Sequence, residues 1–195
     1  MADETRERII AATNELFRQR GYNGTGLAAI GKLADATTGS IYHFFPGGKS
    51  ELANAVVRET GAAYGELFAL IVGEYPDRPD EGVRAFFNGA ADVLETDDFI
   101  DPCPIGTVAR EVASTDDELR QATGVVFAGW ADRVAAQIEG TENPSAEALD
   151  LAGAVVAMIE GGFIIARAQR DASLLRAMGD QAASLVAQHM SKVRG

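Results

Sequence analysis

Three places in the chain carry residue types that could do chemistry. The first is the run Thr37, Thr38, Gly39, Ser40, Tyr42 and His43. Hydroxyl, phenol and imidazole groups on a short exposed helix can meet base edges and phosphates in a DNA major groove, and a glycine among them allows close approach. The second is PGGKS at 46–50, which ends like the phosphate-cradling loop G-x-x-x-x-G-K-[ST]. The first glycine of that pattern would fall on His43 and no strand pattern precedes it, so a nucleotide site is set aside. GYNGTG at 21–26 has the wrong glycine spacing for a dinucleotide loop and follows a helical pattern. The third is Cys103, the single cysteine, with His43 and His189 the two histidines. Both histidines fall in helical patterns, and a small buried or semi-buried cysteine is the better reading than a nucleophile. One cysteine excludes a disulfide framework and a multi-cysteine zinc site, and fits a reducing cytoplasm. No paired carboxylates with a histidine, no metal-ligand cluster and no cofactor loop are found. The expectation is therefore no catalytic residue, no metal and no cofactor.

The elements that must position the first group lie in residues 25–50, TGLAAIGKLADATTGSIYHFFPGGKS. Two short helices, 27–34 and 37–45, joined by a tight turn, form a helix-turn-helix pattern. Ile30 and Ala34 must face inward from the first, and Ala36, Ile41 and Phe44 from the turn and the second. A small residue, Gly31, must sit where the helices cross. Asp35 suits the turn because it tolerates a left-handed backbone. Upstream, Ile9, Ala12 and Leu16 form a helical stripe over residues 5–20 with Ile10 and Phe17 beside it, and Gly21 follows as a stop. Downstream the pattern predicts helices over 50–72, 81–94, 105–113, from about 116 to 139, over 144–170 with Pro144 in the first turn, and over 172–190. This is an all-α chain of about nine helices, divided as 1–49 and 50–195.

Charge separates the two parts. The 195 residues carry 17 basic and 29 acidic side chains, a formal charge of −12. Residues 1–60 hold seven of each, so the rest of the chain holds the whole excess. An acidic average argues against bulk nucleic-acid binding, whose affinity comes from phosphate neutralisation, but leaves room for a local module at the start. With 47% hydrophobic and 24% charged residues the chain is not disordered. MADETRERII lacks the apolar core of a signal peptide. The apolar stretch 151–166 is interrupted by Glu160 and reads as too short to span a bilayer. These features predict a soluble cytoplasmic protein without a membrane partner.

The segment D-A-T-T-G-S-I-Y-H-F-F (35–45), followed by Pro46 and Lys49, resembles the TetR-type (TetR/AcrR) transcriptional repressors, whose pattern is G-V-S-x-G-[ST]-[LI]-Y-x-[HY]-F before a lysine and a long helix. LFRQRGYNGTGLAAI (16–30) is similar to the family's first helix, its Gly-aromatic pair and its short loop. The resemblance is specific over residues 5–60. Asp35 replaces the usual turn glycine, and Gly31 the usual alanine, which costs a helix ~1 kcal/mol. The resemblance implies that Thr37 starts the recognition helix, with its hydroxyl near a phosphate or a cap. It implies base-edge contacts from Thr38, Gly39 and Ser40, and phosphate contacts from Tyr42, His43, Lys49, Thr25 and Lys32. Taken by themselves, Phe44 and Phe45 read as packing a small core, and Tyr42 could do so too, although its hydroxyl wants a partner. So few cations imply a modest salt slope, ~0.9 per neutralised phosphate. The resemblance also implies a homodimer through helices 144–170 and 172–190, rich in small residues, that reads a palindromic operator in double-stranded DNA.

Tyr64, Phe68, Phe86, Phe87, Phe127, Trp130 and Phe163 recur at core spacing in the middle helices. With Cys103, Ile105, Thr107 and Met158 they either fill the interior or line an effector pocket, where Arg110 could add a polar contact. DPCPIGTVARE (101–111) is similar to a feature of a family branch that responds to planar aromatic compounds such as flavonoids, or to antibiotics. The expectation is a ligand-responsive repressor and not an enzyme, released by a small apolar or aromatic effector. A ligand-independent DNA-binding regulator and a small helical enzyme are the alternatives.

Overall fold

The computed structural model describes residues 2–193, with side chains for residues 4–193, and among these residues holds nine helices and no strand. They are α1 (Ala2–Arg20), α2 (Leu27–Ala34), α3 (Thr38–Phe44), α4 (Gly48–Gly73), α5 (Pro79–Thr96), α6 (Pro104–Val112), α7 (Asp117–Glu139), α8 (Ala146–Gln169) and α9 (Ser173–Val193). The chain divides into two compact units, Met1–Ala62 with Cys103–Val126, and Ala63–Pro102 with Phe127–Gly195. The divisions fall inside α4 and α7, and α6 belongs with the first three helices.

The first unit is built on the predicted stripe of α1. Ile9, Ala12, Leu16 and Phe17 are buried, and α1 packs against α2, α3 and α6. Ile30 and Ala34 of α2, Ile41 of α3, Leu52, Val56 and Val57 of α4, and Ile105, Val108 and Val112 of α6 complete this core. Each large aliphatic side chain taken from water contributes roughly 1.5–3 kcal/mol, so an eight-residue helix too short to stand alone is held by its neighbours. One expectation is corrected here. Phe45 is buried as expected, but Phe44 is only half-buried, because α3 stops at Phe44 and the chain turns there. Phe45 adopts a non-helical backbone that swings its ring under the unit, where the Arg6 guanidinium stands 5.6 Å from the ring centroid.

In the second unit α9 packs on α5 and α8. Close approach within the unit depends on glycines: a Cβ on Gly179 would lie 2.6 Å from the Phe87 Cβ, and one on Gly162 2.4 Å from Leu175 Cδ1. Pro144 lies before α8 rather than in its first turn. Ser145 caps the helix instead, its hydroxyl accepting the Ala148 N–H at 3.1 Å. At 24 residues α8 is longer than the apolar stretch suggested, and it is long and apolar enough to cross a membrane by length and composition. Its stripe Ala148, Ala152, Val155, Ile159, Phe163 and Ala166 is nonetheless buried in the unit. The segment between α5 and α6 carries two consecutive left-handed residues, Asp98 and Phe99. Arg167 holds it, donating to Phe99 O at 3.1 Å and pairing with buried Asp101 at 2.6 Å.

Candidate nucleic-acid interface

The turn between α2 and α3 is three residues long and strictly built. Asp35 adopts φ 48°, ψ 52°, the left-handed conformation expected of it, and both its N–H and that of Ala36 point to the Gly31 carbonyl. A Cβ at Gly31 would lie 2.7 Å from Ala36 O and 3.6 Å from Ile41 Cδ1, so the helices cross only because residue 31 has no side chain. Arg8 of α1 closes the end of α2 by donating to Ala34 O at 3.0 Å. That places a cation at the negative end of the helix.

Thr37 is the N-cap of α3, accepting the Ser40 N–H at 3.0 Å. With Ile41 buried, the helix turns Thr38, Gly39, Tyr42 and His43 to solvent and leaves Ser40 half-buried. Tyr42 is 50% exposed. Thr37, Thr38, Gly39, Tyr42 and His43 are exposed as expected, and Ser40 is less exposed than expected. His43 sits at the last turn, edge-on to Phe44 with centroids 5.0 Å apart. Lys32 is exposed on α2.

PGGKS serves as a turn and a helix start. Gly48 has φ +68° and donates to Phe45 O at 2.8 Å, while the Gly47 N–H donates to Glu51 Oε2 at 2.6 Å. The helix start is thus satisfied by its own glutamate, and a helix, not a strand, precedes the turn. Lys49 is half-buried, its ammonium 4.2 Å from the centre of the Tyr22 ring. Burial lowers the Lys49 pKa and the Glu111 carboxylate opposes that shift. Burial, then the charge of Asp116, raises the pKa of Tyr22.

Thr25 corrects an expectation. It is 1% exposed, and its hydroxyl donates to Gly21 O at 2.7 Å and Leu16 O at 3.3 Å, so the side chain ties the α1–α2 connection together and does not face outward. Glu111 of α6 was not singled out from the sequence, yet it accepts the Asn23 N–H in this same connection at 2.6 Å. Asp116 likewise accepts from Ser50 at 3.2 Å, and Glu118 from Asn54 at 2.9 Å.

The effector candidates are divided between the units. Cys103, Ile105 and Thr107 are buried in the first. Cys103 caps α6 through its sulfur, which accepts the Gly106 N–H at 3.3 Å, and Thr107 donates to Cys103 O. Arg110 donates to the Thr107 hydroxyl at 3.4 Å. The others lie in the second unit. Tyr64 stacks with Trp130 at 6.4 Å, and Phe127 meets Trp130 edge-on at 5.5 Å. The Tyr64 hydroxyl donates to Pro102 O at 2.7 Å. Phe68 and Phe86 form another edge-on pair at 5.0 Å. Phe87 and Phe163 are buried, and Met158 is half-buried. A groove of about 330 Å³ between α8 and α9 is lined by Glu147, Asp150, Leu151, Leu185, Gln188, His189 and Lys192, and includes none of them.

Known proteins place this geometry. Residues 9–56 match the family described as bacterial regulatory proteins, tetR family, and residues 79–181 match the C-terminal domain of LmrA/YxaF-like transcriptional regulators. The chain is 33% identical over 183 residues to the helix-turn-helix-type regulator YxaF of Bacillus subtilis, covering 94% of this chain and 95% of that one. It is 31% identical over 172 residues to LmrA of the same organism, covering 88% and 91%. Among solved structures, a TetR regulatory protein from Rhodobacter sphaeroides shares the fold with a TM-score of 0.79 at 22% identity, covering 91% and 96%. The reduced form of Escherichia coli NemR does so at 0.77 and 22%, covering 91% and 94%.

Proposed function

The chain belongs to the TetR family of helix-turn-helix transcriptional regulators, and from that premise we propose that it is a homodimeric repressor, binding a palindromic operator and released by a small apolar or aromatic effector. The observation that carries the DNA reading is the outward face of α3. Thr38, Gly39, Tyr42 and His43 are exposed and Ser40 partly so, on a helix whose seat is set by buried Ile41 and by the Gly31 crossing. In this reading Thr38, Gly39 and Ser40 meet base edges. Tyr42, His43, Lys32 and Lys49 meet phosphates, and Thr37 fixes the start of the helix. Residues 1–49 carry DNA binding, and 50–195 carry effector binding and dimerisation.

The dimer reading rests on α8 and α9. Beyond its buried stripe α8 leaves Gly153, Ala154, Ala157, Ile164 and Ile165 exposed, and α9 leaves Leu185 exposed. A second copy covering these apolar and small residues would remove them from water, and two recognition helices would then read two half-sites. The effector reading rests on Tyr64, Phe127 and Trp130, an aromatic group with a polar handle. Both roles are binding roles, exercised in the cytoplasm where the DNA lies, and the reading assigns no catalytic residue.

Selection from a random duplex pool at two salt concentrations tests the proposal. Enrichment of a palindrome with near-equal half-sites is the expected result. No enrichment at either salt overturns the operator reading, and a consensus without symmetry overturns the dimer.

A further inference from the structure

The connection between α1 and α2 is held from a distant part of the chain. Glu111 Oε2 accepts the Asn23 N–H at 2.6 Å, from 88 positions away. Glu111 Oε1 occupies the space left by a missing side chain: a Cβ on Gly21 would lie 2.0 Å from it. Gly21 also has φ +74°, so glycine is required there by its backbone conformation, while a side chain at this position would push the flexible Glu111 carboxylate aside. Thr25, two residues beyond Asn23, is buried and bonded back to Gly21 O and Leu16 O. Residues 21–25 therefore form a closed turn, and the α6 carboxylate is its outermost fastening. The next residue, Gly26, is the N-cap of α2 and has no side chain with which to fasten the helix start itself.

We infer that Glu111 is a positioning residue for DNA binding: its carboxylate holds the 21–25 turn, and through it the start of α2, so that α2 and α3 keep the geometry that presents α3. The inference rests on the reading of α3 as the DNA-contacting helix. Positioning by Glu111 and simple electrostatics predict effects of opposite sign on DNA binding. Glu111 is an anion in the same compact unit as α3, the helix read as meeting a polyanion, so on charge alone its removal strengthens DNA binding. If it positions the turn, its removal weakens binding despite the favourable change in charge.

The test uses the full chain and the duplex recovered by selection, with affinity read by fluorescence anisotropy across a salt series. Glu111→Ala is expected to bind about tenfold more weakly, the effect of losing a hydrogen bond to a charged group. Its salt slope should match that of the unaltered chain, because no phosphate contact is lost. Glu111→Gln keeps an acceptor for the Asn23 N–H and is expected to bind within about twofold of the unaltered chain, or tighter. Equal or tighter binding by Glu111→Ala overturns the inference, and so does Glu111→Gln as weak as Glu111→Ala. If Glu111→Ala does not fold, amide exchange of Asn23 in the unaltered chain decides: protection supports the fastening, and exchange at the free-peptide rate overturns it. A chain that enriches no duplex sinks the DNA reading, a failure distinguishable from this one because amide exchange needs no DNA.

Discussion

Thr37 and Ser40 are joined twice at the start of α3: the Thr37 hydroxyl accepts the Ser40 backbone N–H at 3.0 Å, and the two hydroxyls lie 2.9 Å apart. The Ser40 side chain is thus held in one orientation before any DNA arrives. A preoriented hydroxyl that meets a base edge discriminates between sequences. Ser40→Ala should therefore change which bases are preferred at one position of each half-site, with ~1–3 kcal/mol of discrimination at stake. Tyr42→Ala should weaken binding about equally for all sequences. Repeating the duplex selection with each variant checks this, and two small effects of the same kind would remove the assigned roles.

Gly31→Ala should destabilise the protein. Alanine is worth ~1 kcal/mol more than glycine inside a helix, so propensity alone predicts the opposite. The contact with Ala36 O at 2.7 Å reverses the sign, since backbone cannot yield as a flexible side chain can. Overpacking of this kind costs ~1–3 kcal/mol. Thermal unfolding decides, and a raised melting temperature would show that the crossing has room.

Glu139 should make stability depend on pH. Its carboxylate accepts the Ser145 hydroxyl and the Ser145 N–H, both at 2.7 Å, and lies 2.9 Å from His189 Nε2. These contacts, the Ser145 hydroxyl first, hold its pKa below the usual glutamate value. A depressed folded pKa stabilises the folded chain above the unfolded value, ~4.3, and that stabilisation is lost as pH falls through the folded value. Glu139→Gln should therefore melt below the unaltered chain at pH 7, with the gap closing on acidification. A gap that stays constant from neutral to strongly acidic pH would argue against the clamp.

Ile164→Arg should separate the dimer. Ile164 is 44% exposed on α8, and a charge introduced into an apolar contact face is desolvated without a partner. Light scattering should give the mass of one chain instead of two, with operator affinity falling in parallel. An unchanged mass would place the dimer contact elsewhere.

Trp130 is the single tryptophan, so its emission reports on the aromatic group alone. A planar aromatic effector placed beside Tyr64 and Phe127 should quench or shift that emission in proportion to operator release. Phe127→Ala should weaken both together. Release with no change in Trp130 emission would move the effector site away from these residues.

Much of this was legible in the chain because it depends on local physics. Helical periodicity located the stripe of α1, and the bounds of α2 agree with the pattern. Asp35 and Gly31 were readable because a left-handed turn and a close crossing each admit few residue types. What the sequence could not determine concerns choices between neighbours and contacts between distant residues. Phe44 and Phe45 are adjacent and equally apolar, and only the point where α3 stops decides which ring turns inward. Ser145, not Pro144, starts α8 because its hydroxyl finds the Ala148 N–H, a geometric outcome that both residue types would permit. Thr25 looked like a surface hydroxyl until the closed turn gave it two carbonyl partners. Glu111 joins Asn23 across 88 positions, a pairing that no periodicity encodes. Helical repeat specifies which face of each helix is apolar; packing alone decides which helices share a core, and that is why α6 falls in with α1, α2 and α3.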